Sequence, residues 1–521
     1  MRKLFALLIP VIVVFHSCDI DLKDTKVPVN TTLPLTDFNI SETTLLSWAG
    51  LTDEVQPGDD GVLEINKELE MTIGTPEELK SVFTIPNQYF SIPVNIGGYI
   101  PAPVVIEIRP DSPLKFEESF RLPDDYSIQS AILHSGTLRF DINNSISGFS
   151  DVLCTIEELT RNGTPFTIRP GETKPLEGYQ LAFRDNQSKI SFTLSGRIAA
   201  KAGDDLSGIK LDINFSNLAI REAEGFFGRN VITPKRDFTI HIDPGVTDFF
   251  ENCDYYLSNP RVKLKLNNSY NLPILVQISK LEIGGKPVPL RNEPGGNKIV
   301  VKPGAVTEYL LSNASTVSGS GLSDAISTDL SSITVAFTVI TNPTREDVGD
   351  NTYDPPVQNK ISISDQIAIQ EYFTIPFDGW FADIPFYQEF NMDISNNKNT
   401  VYEYFKLAVV CTNEMPLELS LTLVAVSGDD TEQLLFDEPI VLPASNGLNP
   451  RSNEFRAGII SGDHAAIRTI PGEKVKSLLE AKKLKFALKG AMPQSENGKA
   501  MKFYTQSNLQ LKLIGNLKGG F

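Results

Sequence analysis

Cysteine and histidine are scarce in this sequence, whose 521 residues contain four of each. No CxxC or HxxxH pair occurs, so the ligand spacing of common structural zinc sites is missing. The glycine-rich loops that bind nucleotide phosphates and the GxSxG elbow of serine hydrolases are absent too. We therefore expect neither a metal nor a cofactor, and no motif assigns a catalytic role to any residue.

Positive charge is also in short supply. Lysine and arginine number 47 against 65 aspartates and glutamates, which gives a net charge of −18. An acidic surface repels phosphates, so we do not expect a nucleic acid partner. Beyond the first fifteen residues, no apolar run approaches the roughly 18 residues that a membrane-spanning helix needs. If the protein is attached to a membrane, we therefore expect a covalently bound lipid to attach it.

The N-terminus has the pattern of a signal peptide that ends at a cysteine. Arg2 and Lys3 precede the apolar run 4–15, which is too short to cross a bilayer core of roughly 30 Å. Ser17 is small, as a signal peptidase requires, and Cys18 follows it. The segment resembles a bacterial lipobox, of the relaxed kind that Bacteroidetes lipoproteins carry. This resemblance implies that Cys18 is the lipid attachment site.

Two positions depart from the usual lipobox, because Phe15 replaces a leucine and His16 replaces a small residue. The alternative is an ordinary secretory signal in which Cys18 is incidental. We predict that residues 1–17 are removed and that residues 18–33 form a flexible tether. The acidic start of this tether resembles the signal that sends some such lipoproteins to the outer face of the outer membrane. Surface display is therefore expected, with the periplasmic face as the alternative.

Alternation of apolar and polar residues dominates the rest of the chain. It is clear at 189–198, 332–340 and 508–515, whereas helical patterns are short, as at 75–78 and 472–481. Glycine and proline separate the alternating runs. The sequence predicts an all-β fold of tandem antiparallel β-sandwich domains with a few short helices.

An internal repeat divides the chain. LRFDINNS at 138–145 matches VKLKLNNS at 262–269, and LAVVCTNE at 407–414 is a looser copy with Asn413 in the place of Asn268. Each copy precedes a second alternating run, so we predict a β-hairpin at each asparagine-rich turn.

The repeat sets the predicted boundaries. These are an N-terminal β-region at 34–125 and β-sandwich repeats at 126–245, 246–400 and 401–521. Three cysteines remain after Cys18, and an odd number cannot all form disulfides. Because Cys154 and Cys411 fall on alternating apolar positions, we interpret them as buried structural thiols.

The third repeat carries a family resemblance. IPFDGW at 375–380 precedes a strand with Asn413 and Pro416, and AKKLKFALKG at 481–490 leads to a closing strand that ends at 515. This arrangement resembles Bacteroidetes outer-membrane lipoproteins of unknown function, which repeat a β-sandwich with an Asn-x-x-Pro hairpin similar to that of late-embryogenesis-abundant proteins. The resemblance implies a fold and an outer-membrane location, and it implies no catalytic residues.

Aromatic residues concentrate in one segment, 372–390. They are Tyr372, Phe373, Phe377, Trp380, Phe381, Phe386, Tyr387 and Phe390. Exposed rings of this kind stack on sugars or anchor a protein partner, which makes Trp380, Phe381, Phe377 and Tyr387 the candidate binding residues. The competing interpretation is a packing seam between the second and third sandwiches.

Taken together, these patterns favour a non-enzymatic, lipid-anchored protein of the outer membrane that binds a glycan or an outer-membrane protein. One alternative is a surface glycan hydrolase, which would need two carboxylates facing each other across a cleft. Another is an accessory factor of an envelope transport or secretion complex.

Overall fold

The computed structural model confirms an all-β fold built from antiparallel sheets with short helices. The structure describes residues 28–520 apart from 42–43, 45–46, 48–50, 52–54, 74, 76, 144–147, 150, 184–187, 235–236, 356–357, 392–400, 462–465 and 493–500. The predicted signal peptide, Cys18 and the first part of the predicted tether lie outside these residues. In the described part of the chain, no helix is both long and apolar enough to cross a membrane.

The N-terminal part of the described chain consists of short and medium strands. They are β1 (Pro28–Ser41), β2 (Val55–Pro57), β3 (Leu63–Ile73), β4 (Thr84–Ile85), β5 (Gln88–Val94), β6 (Val104–Ile108) and β7 (Leu114–Ser119), with helix α1 (Lys80–Phe83) before β4. The helical pattern predicted at 75–78 lies just before α1 and forms a capping box, since the Thr75 N–H donates to Glu78 and the Glu78 N–H donates back to Thr75.

The first sandwich-like unit is one long sheet that curls over itself. Its strands are β8 (Tyr126–Asn143), β9 (Leu153–Arg161), β10 (Thr164–Ile168), β11 (Thr173–Pro175), β12 (Gln180–Ala182), β13 (Lys189–Ala200) and β14 (Ile209–Phe227), joined by β4 to β7. Phe90 of β5 contacts Phe192 of β13 with ring centroids 5.4 Å apart. Because β5 pairs with β14 while β13 pairs with β9, distant parts of the sheet face each other across a common core.

The second unit has two sheets. Its elements are β15 (Asn230–Ile232), β16 (Phe238–His241), α2 (Pro244–Glu251), β17 (Asp254–Leu257), β18 (Arg261–Asn268), β19 (Ile274–Ile283), β20 (Lys286–Pro287), β21 (Lys298–Val301), β22 (Val306–Leu311), a 3-10 turn (Asn313–Ser315), α3 (Gly321–Ile326), β23 (Ser332–Thr341), α4 (Arg345–Val348), β24 (Asn359–Ser362) and β25 (Ile367–Pro376). One sheet has the order β2-β3-β25-β18-β22, and the other is centred on β19 and β23. Strand β24 instead joins the first unit by pairing with β14.

The third unit also has two sheets. Its elements are β26 (Asp378–Ala382), β27 (Ile384–Asn391), β28 (Val401–Asn413), β29 (Glu418–Val426), β30 (Glu432–Leu434), β31 (Ile440–Leu442), β32 (Gly458–Ile460), β33 (Ala466–Pro471), α5 (Gly472–Glu480), β34 (Lys483–Ala491), β35 (Met501–Lys502) and β36 (Asn508–Gly520). The order β1-β36-β28 forms one sheet, with β32 and β33 beside β28, and β27-β34-β29 forms the core of the other. A small sheet, β17-β26-β35, connects the second and third units.

Strand pairing crosses the predicted domain boundaries. β1 pairs with β36, so that Pro28 lies opposite Gly520 at the other end of the chain. β3 pairs with β25, while β4 to β7 belong to the first unit. The segment 34–125 therefore contributes strands to all three units. The boundaries themselves stay a prediction.

The predicted hairpins are wrong. β18 and β19 lie in different sheets, as do β28 and β29, and β12 separates β8 from β9. Alternation correctly gives each strand one buried face, since Val262, Leu264 and Leu266 are all fully buried. It does not determine which sheet the next strand joins. The asparagine-rich segments of the second and third units are corners that carry the chain from one sheet to the other.

Candidate functional site

The segment 375–380 joins two units and has a structural role. Asp378 is buried and accepts hydrogen bonds from Ser258 Oγ at 3.1 Å and from Asn259 Nδ2 at 2.7 Å. A Cβ on Gly379 would collide with the carbonyl oxygen of Tyr256, so only glycine allows β26 to approach β17 this closely. The motif therefore secures the small sheet between the second and third units.

Two of the four candidate binding rings belong to the core of this junction. Phe377 and Phe381 stack with centroids 5.9 Å apart, and both meet Phe503 edge-on. Phe250 extends the cluster on the other side of Phe377. Both candidate rings are buried, so neither faces a ligand. Their packing is the one expected of a seam between two units.

The other two candidates lie elsewhere. Trp380 is partly buried against the core, on the opposite face of β26 from Phe381. Tyr387 is 54% exposed on β27, where Lys485 Nζ lies 5.0 Å from the centre of its ring. The four rings therefore do not form one aromatic surface, and Tyr387 is the one among them that solvent reaches most freely.

The cysteines are placed as buried thiols. Cys154, Cys253 and Cys411 are free and buried, and burial raises the pKa of each to about 12. Such thiols are neutral and poorly reactive at neutral pH. Among the described residues, no three histidine, cysteine or acidic side chains are arranged to hold a metal ion.

A polar cleft of about 570 Å³ lies on the second unit, where the chain enters that unit from β14, and sequence reasoning missed it. It is lined by Arg229, Gln277, Asn292, Lys298, Ile340, Thr344, Glu346 and Asp347. Residues 225–227 are the last of β14, and Arg229 follows them at the edge of the cleft. We refer to this site as the junction cleft.

A fixed ion pair forms one wall of the junction cleft. Arg229 donates from Nε and Nη2 to the two carboxylate oxygens of Asp347, at 2.8 and 2.7 Å. Asp347 also accepts the backbone N–H and the hydroxyl of Thr344, which caps helix α4. The hydrogen bond from Arg229 is the main cause that holds the pKa of Asp347 far below its usual value. Asp347 is therefore a carboxylate at any physiological pH.

Asparagines hold the backbone behind the junction cleft. Asn342, at φ +47°, donates from Nδ2 to the Gly228 carbonyl oxygen at 2.9 Å, while its own N–H donates to Pro273. Asn230 pairs with Thr341 on β23. The chain on both sides of Arg229 is thus held against the end of β23, by the Asn342 side chain at Gly228 and by strand pairing at Asn230. A sequence signal was available in the Thr344-x-x-Asp347 capping box, although its arginine partner is distant in the chain.

Comparisons with known proteins do not assign a family. No family model matches the chain, and no curated protein matches it. Among solved structures, a candidate secreted protein from Parabacteroides distasonis ATCC 8503, a Bacteroidetes species, is 13% identical with a TM-score of 0.29, over 56% of this chain and 83% of that one. The major capsid protein P2 of bacteriophage PM2 is 10% identical with a TM-score of 0.10, over 56% of this chain and 98% of that one. Similarity at these TM-scores carries no conclusion about function.

Proposed function

We propose that this protein is a lipid-anchored binding protein of the bacterial outer membrane, displayed at the cell surface through Cys18, and that it binds a glycan in the junction cleft. The observation that carries the binding role is the cleft itself, which is polar, open and backed by a fixed ion pair. Strands β19, β21 and β23 of one sheet and helix α4 form its walls, so a ligand would meet a largely preformed site.

The lining chemistry supports a neutral polar ligand. Gln277, Asn292 and Lys298 offer N–H donors, and Glu346 offers acceptor oxygens, to hydroxyl groups in the cleft. Positive and negative side chains are interspersed, which suits sugar hydroxyls better than a phosphate or a second cation. An outer-membrane protein partner remains the second candidate, because solvent-exposed rings such as Tyr387 can anchor one.

The rival function is a glycan hydrolase, since Glu346 and Asp347 both line the cleft. A glycosidase needs a general acid whose pKa is raised toward neutrality. Arg229 acts on Asp347 in the opposite direction, and the Asp347 carboxylate is already engaged in capping α4. Asp347 is therefore not the general acid, and because Arg229 and Thr344 occupy both of its oxygens it is poorly placed as a nucleophile, which favours binding without turnover.

A glycan array and calorimetry test this proposal. We expect the mature chain to bind at least one array glycan, and Gln277→Ala together with Lys298→Ala to weaken that binding tenfold or more. Lys263→Ala, on the outer face of the second unit, is the matched control and should bind like the parent. Chromatography of the incubated glycan detects turnover. Binding to no glycan contradicts the glycan proposal, and released sugars would favour the hydrolase.

A further inference from the structure

The third unit has an outer sheet face of unusual composition. On β28 the buried residues are Phe405, Leu407, Val409 and Cys411, so the alternating positions between them face outward. The resulting surface, which we name the lysine–isoleucine face, consists of Tyr404, Lys406, Ile467, Lys512, Ile514 and Lys518.

Apolar side chains align across this face. Ala408 lies opposite Ile467 on β33 and opposite Ile514 on β36. Ile467 is 56% exposed, and Ile459 on the neighbouring β32 is exposed to a similar degree. Ala408 and Ile514 are partly exposed, so the row presents aliphatic surface to water, which is costly unless another surface covers it.

Lysines surround the apolar row. Lys406 Nζ and Lys518 Nζ lie 5.2 and 5.6 Å from the centre of the Tyr404 ring, so two cations share one aromatic side chain. Lys518 also pairs with Glu403 at 2.8 Å. Lys512 is exposed on β36 opposite Val410. A tyrosine flanked by lysines beside exposed aliphatic residues is the composition of a membrane–water interface.

The central strand of the equivalent face in the second unit carries charged outward residues, although Leu310, directly opposite Lys263, is an exposed aliphatic residue there too. Aligning Asn268 with Asn413 places Lys263 at the position of Ala408, and Lys265 at that of Val410. In the second unit Lys263 pairs with Glu308 at 3.0 Å, as expected of a surface that faces water. The third unit thus replaces charged outward positions by apolar ones at the same places of the same strand.

The number of residues between Cys18 and β1 limits how far this face can lie from a membrane that holds Cys18. β1 begins at Pro28, and Lys518 lies opposite Asn30, two residues into that strand. Cys18 is ten residues before Pro28, and ten residues reach at most about 35 Å when fully extended. A lipid on Cys18 therefore keeps the Lys518 end of the face close to the membrane.

We propose that the lysine–isoleucine face rests on the lipid headgroup surface of the membrane that holds Cys18, and so fixes the orientation of the protein. This inference depends on the proposed anchor. Lys406, Lys512 and Lys518 face headgroup phosphates, and Ile467 and Ile514 enter the interface. The net charge of −18 is repelled by the same phosphates, which turns the remainder of the molecule outward.

Lysine reactivity on vesicles tests the proposal in the intact chain. The mature protein is coupled through Cys18 to a maleimide lipid in vesicles of phosphatidylethanolamine and phosphatidylglycerol. Cys154, Cys253 and Cys411 are buried, so Cys18 is the thiol that the reagent reaches. A membrane-impermeant lysine-acylating reagent is then applied, and mass spectrometry compares each lysine with the same lysine in uncoupled protein.

We expect Lys406 and Lys512 to react at least fivefold more slowly on vesicles, while Lys263 and Lys265 on the second unit react at an unchanged rate. Ile467→Asp combined with Lys406→Glu should abolish the protection of Lys512, whereas the control pair Leu310→Asp with Lys265→Glu should preserve it.

Equal reactivity on vesicles and in solution overturns the proposal. Protection that depends on protein concentration in the absence of vesicles also overturns it, because the occupant would then be a second copy of the chain. Chemical coupling anchors the protein whether or not the cell acylates Cys18. Failure of the proposed anchor would therefore appear separately, as an unmodified N-terminus of protein taken from cells.

Discussion

Asn268 and Asn413 make the same set of three hydrogen bonds at equivalent corners of two sandwich units. In each, Oδ1 accepts the N–H of the residue two positions later, Tyr270 or Met415. Nδ2 donates to the carbonyl four positions later, at 2.8 Å from Asn268 and 2.7 Å from Asn413. Nδ2 also donates to a carbonyl about thirty residues later in each unit. One buried side chain thus satisfies the main chain where it passes between sheets.

Asn268→Ala should lower the free energy of unfolding by about 3–5 kcal/mol, because it removes three buried hydrogen bonds and leaves main-chain groups unpaired. The neighbouring Asn267→Ala is the matched control, since Asn267 is exposed and should change stability by less than about 0.5 kcal/mol. Urea denaturation measures both. Equal stability of the two variants would show that the corner does not depend on Asn268.

Glu371 predicts an unusual pH dependence. It is 1% exposed on β25, both carboxylate oxygens lack a hydrogen-bond partner among the described residues, and desolvation raises its pKa to about 7. The folded state therefore binds a proton that the unfolded state releases near pH 4.5. The stability that this extra proton provides is fully present below pH 4.5 and is lost as the pH rises through about 7.

Glu371→Gln should consequently stabilise the protein at pH 8 by an amount on the order of 3 kcal/mol, and should have little effect at pH 4. Thermal or urea unfolding of both proteins across this range gives the difference curve. A difference that is constant with pH would contradict a raised pKa at this position.

The aromatic junction predicts opposite outcomes for two rings. Phe381→Ala opens a cavity beside Phe377 and Phe503 and should cost about 3–5 kcal/mol of stability. Tyr387→Ala removes an exposed ring and should cost less than about 1 kcal/mol, chiefly through its contact with Lys485. Melting temperatures compare the two variants. A small change in melting temperature for Phe381→Ala would make Phe381 a candidate recognition residue again.

The ion pair of the junction cleft should be measurable by a double-mutant cycle of Arg229→Met and Asp347→Asn. We expect a coupling of about 1 kcal/mol at pH 7, modest because 42% of the Arg229 side chain is exposed. Since the pKa of Asp347 is lowered, this stabilisation is present above the ordinary aspartate pKa and disappears only as the pH falls well below it. Coupling that weakened between pH 7 and pH 5 would contradict the lowered pKa.

The sequence predicts strands well and their partners poorly. Period-two patterns correctly identify β13, β23 and β36, because alternation follows directly from strand geometry. The pairing of β1 with β36 joins opposite ends of the chain, and no local pattern encodes such a contact. The asparagines at 268 and 413 look like hairpin turn residues, although burial turns them into inter-sheet corners.

The candidate site shows the same division. A segment rich in aromatic residues looks the same in the sequence whether its rings pack in a core or bind a ligand. Only the structure therefore distinguishes buried Phe381 from exposed Tyr387. Glu371 was detectable, since it interrupts the inward-facing series Ile369, Glu371, Phe373 of an otherwise regular strand. The junction cleft was not, because Arg229 and Asp347 are 118 residues apart in the chain and meet only through tertiary packing.

The most direct test of the anchored-binding account is mass spectrometry of the N-terminus of the mature protein, read together with membrane fractionation of Cys18→Ser. We predict an N-terminal Cys18 carrying acyl chains, and release of the Cys18→Ser variant from the membrane fraction. An unmodified N-terminus located after residue 18, with the variant still bound to membranes, would contradict the account.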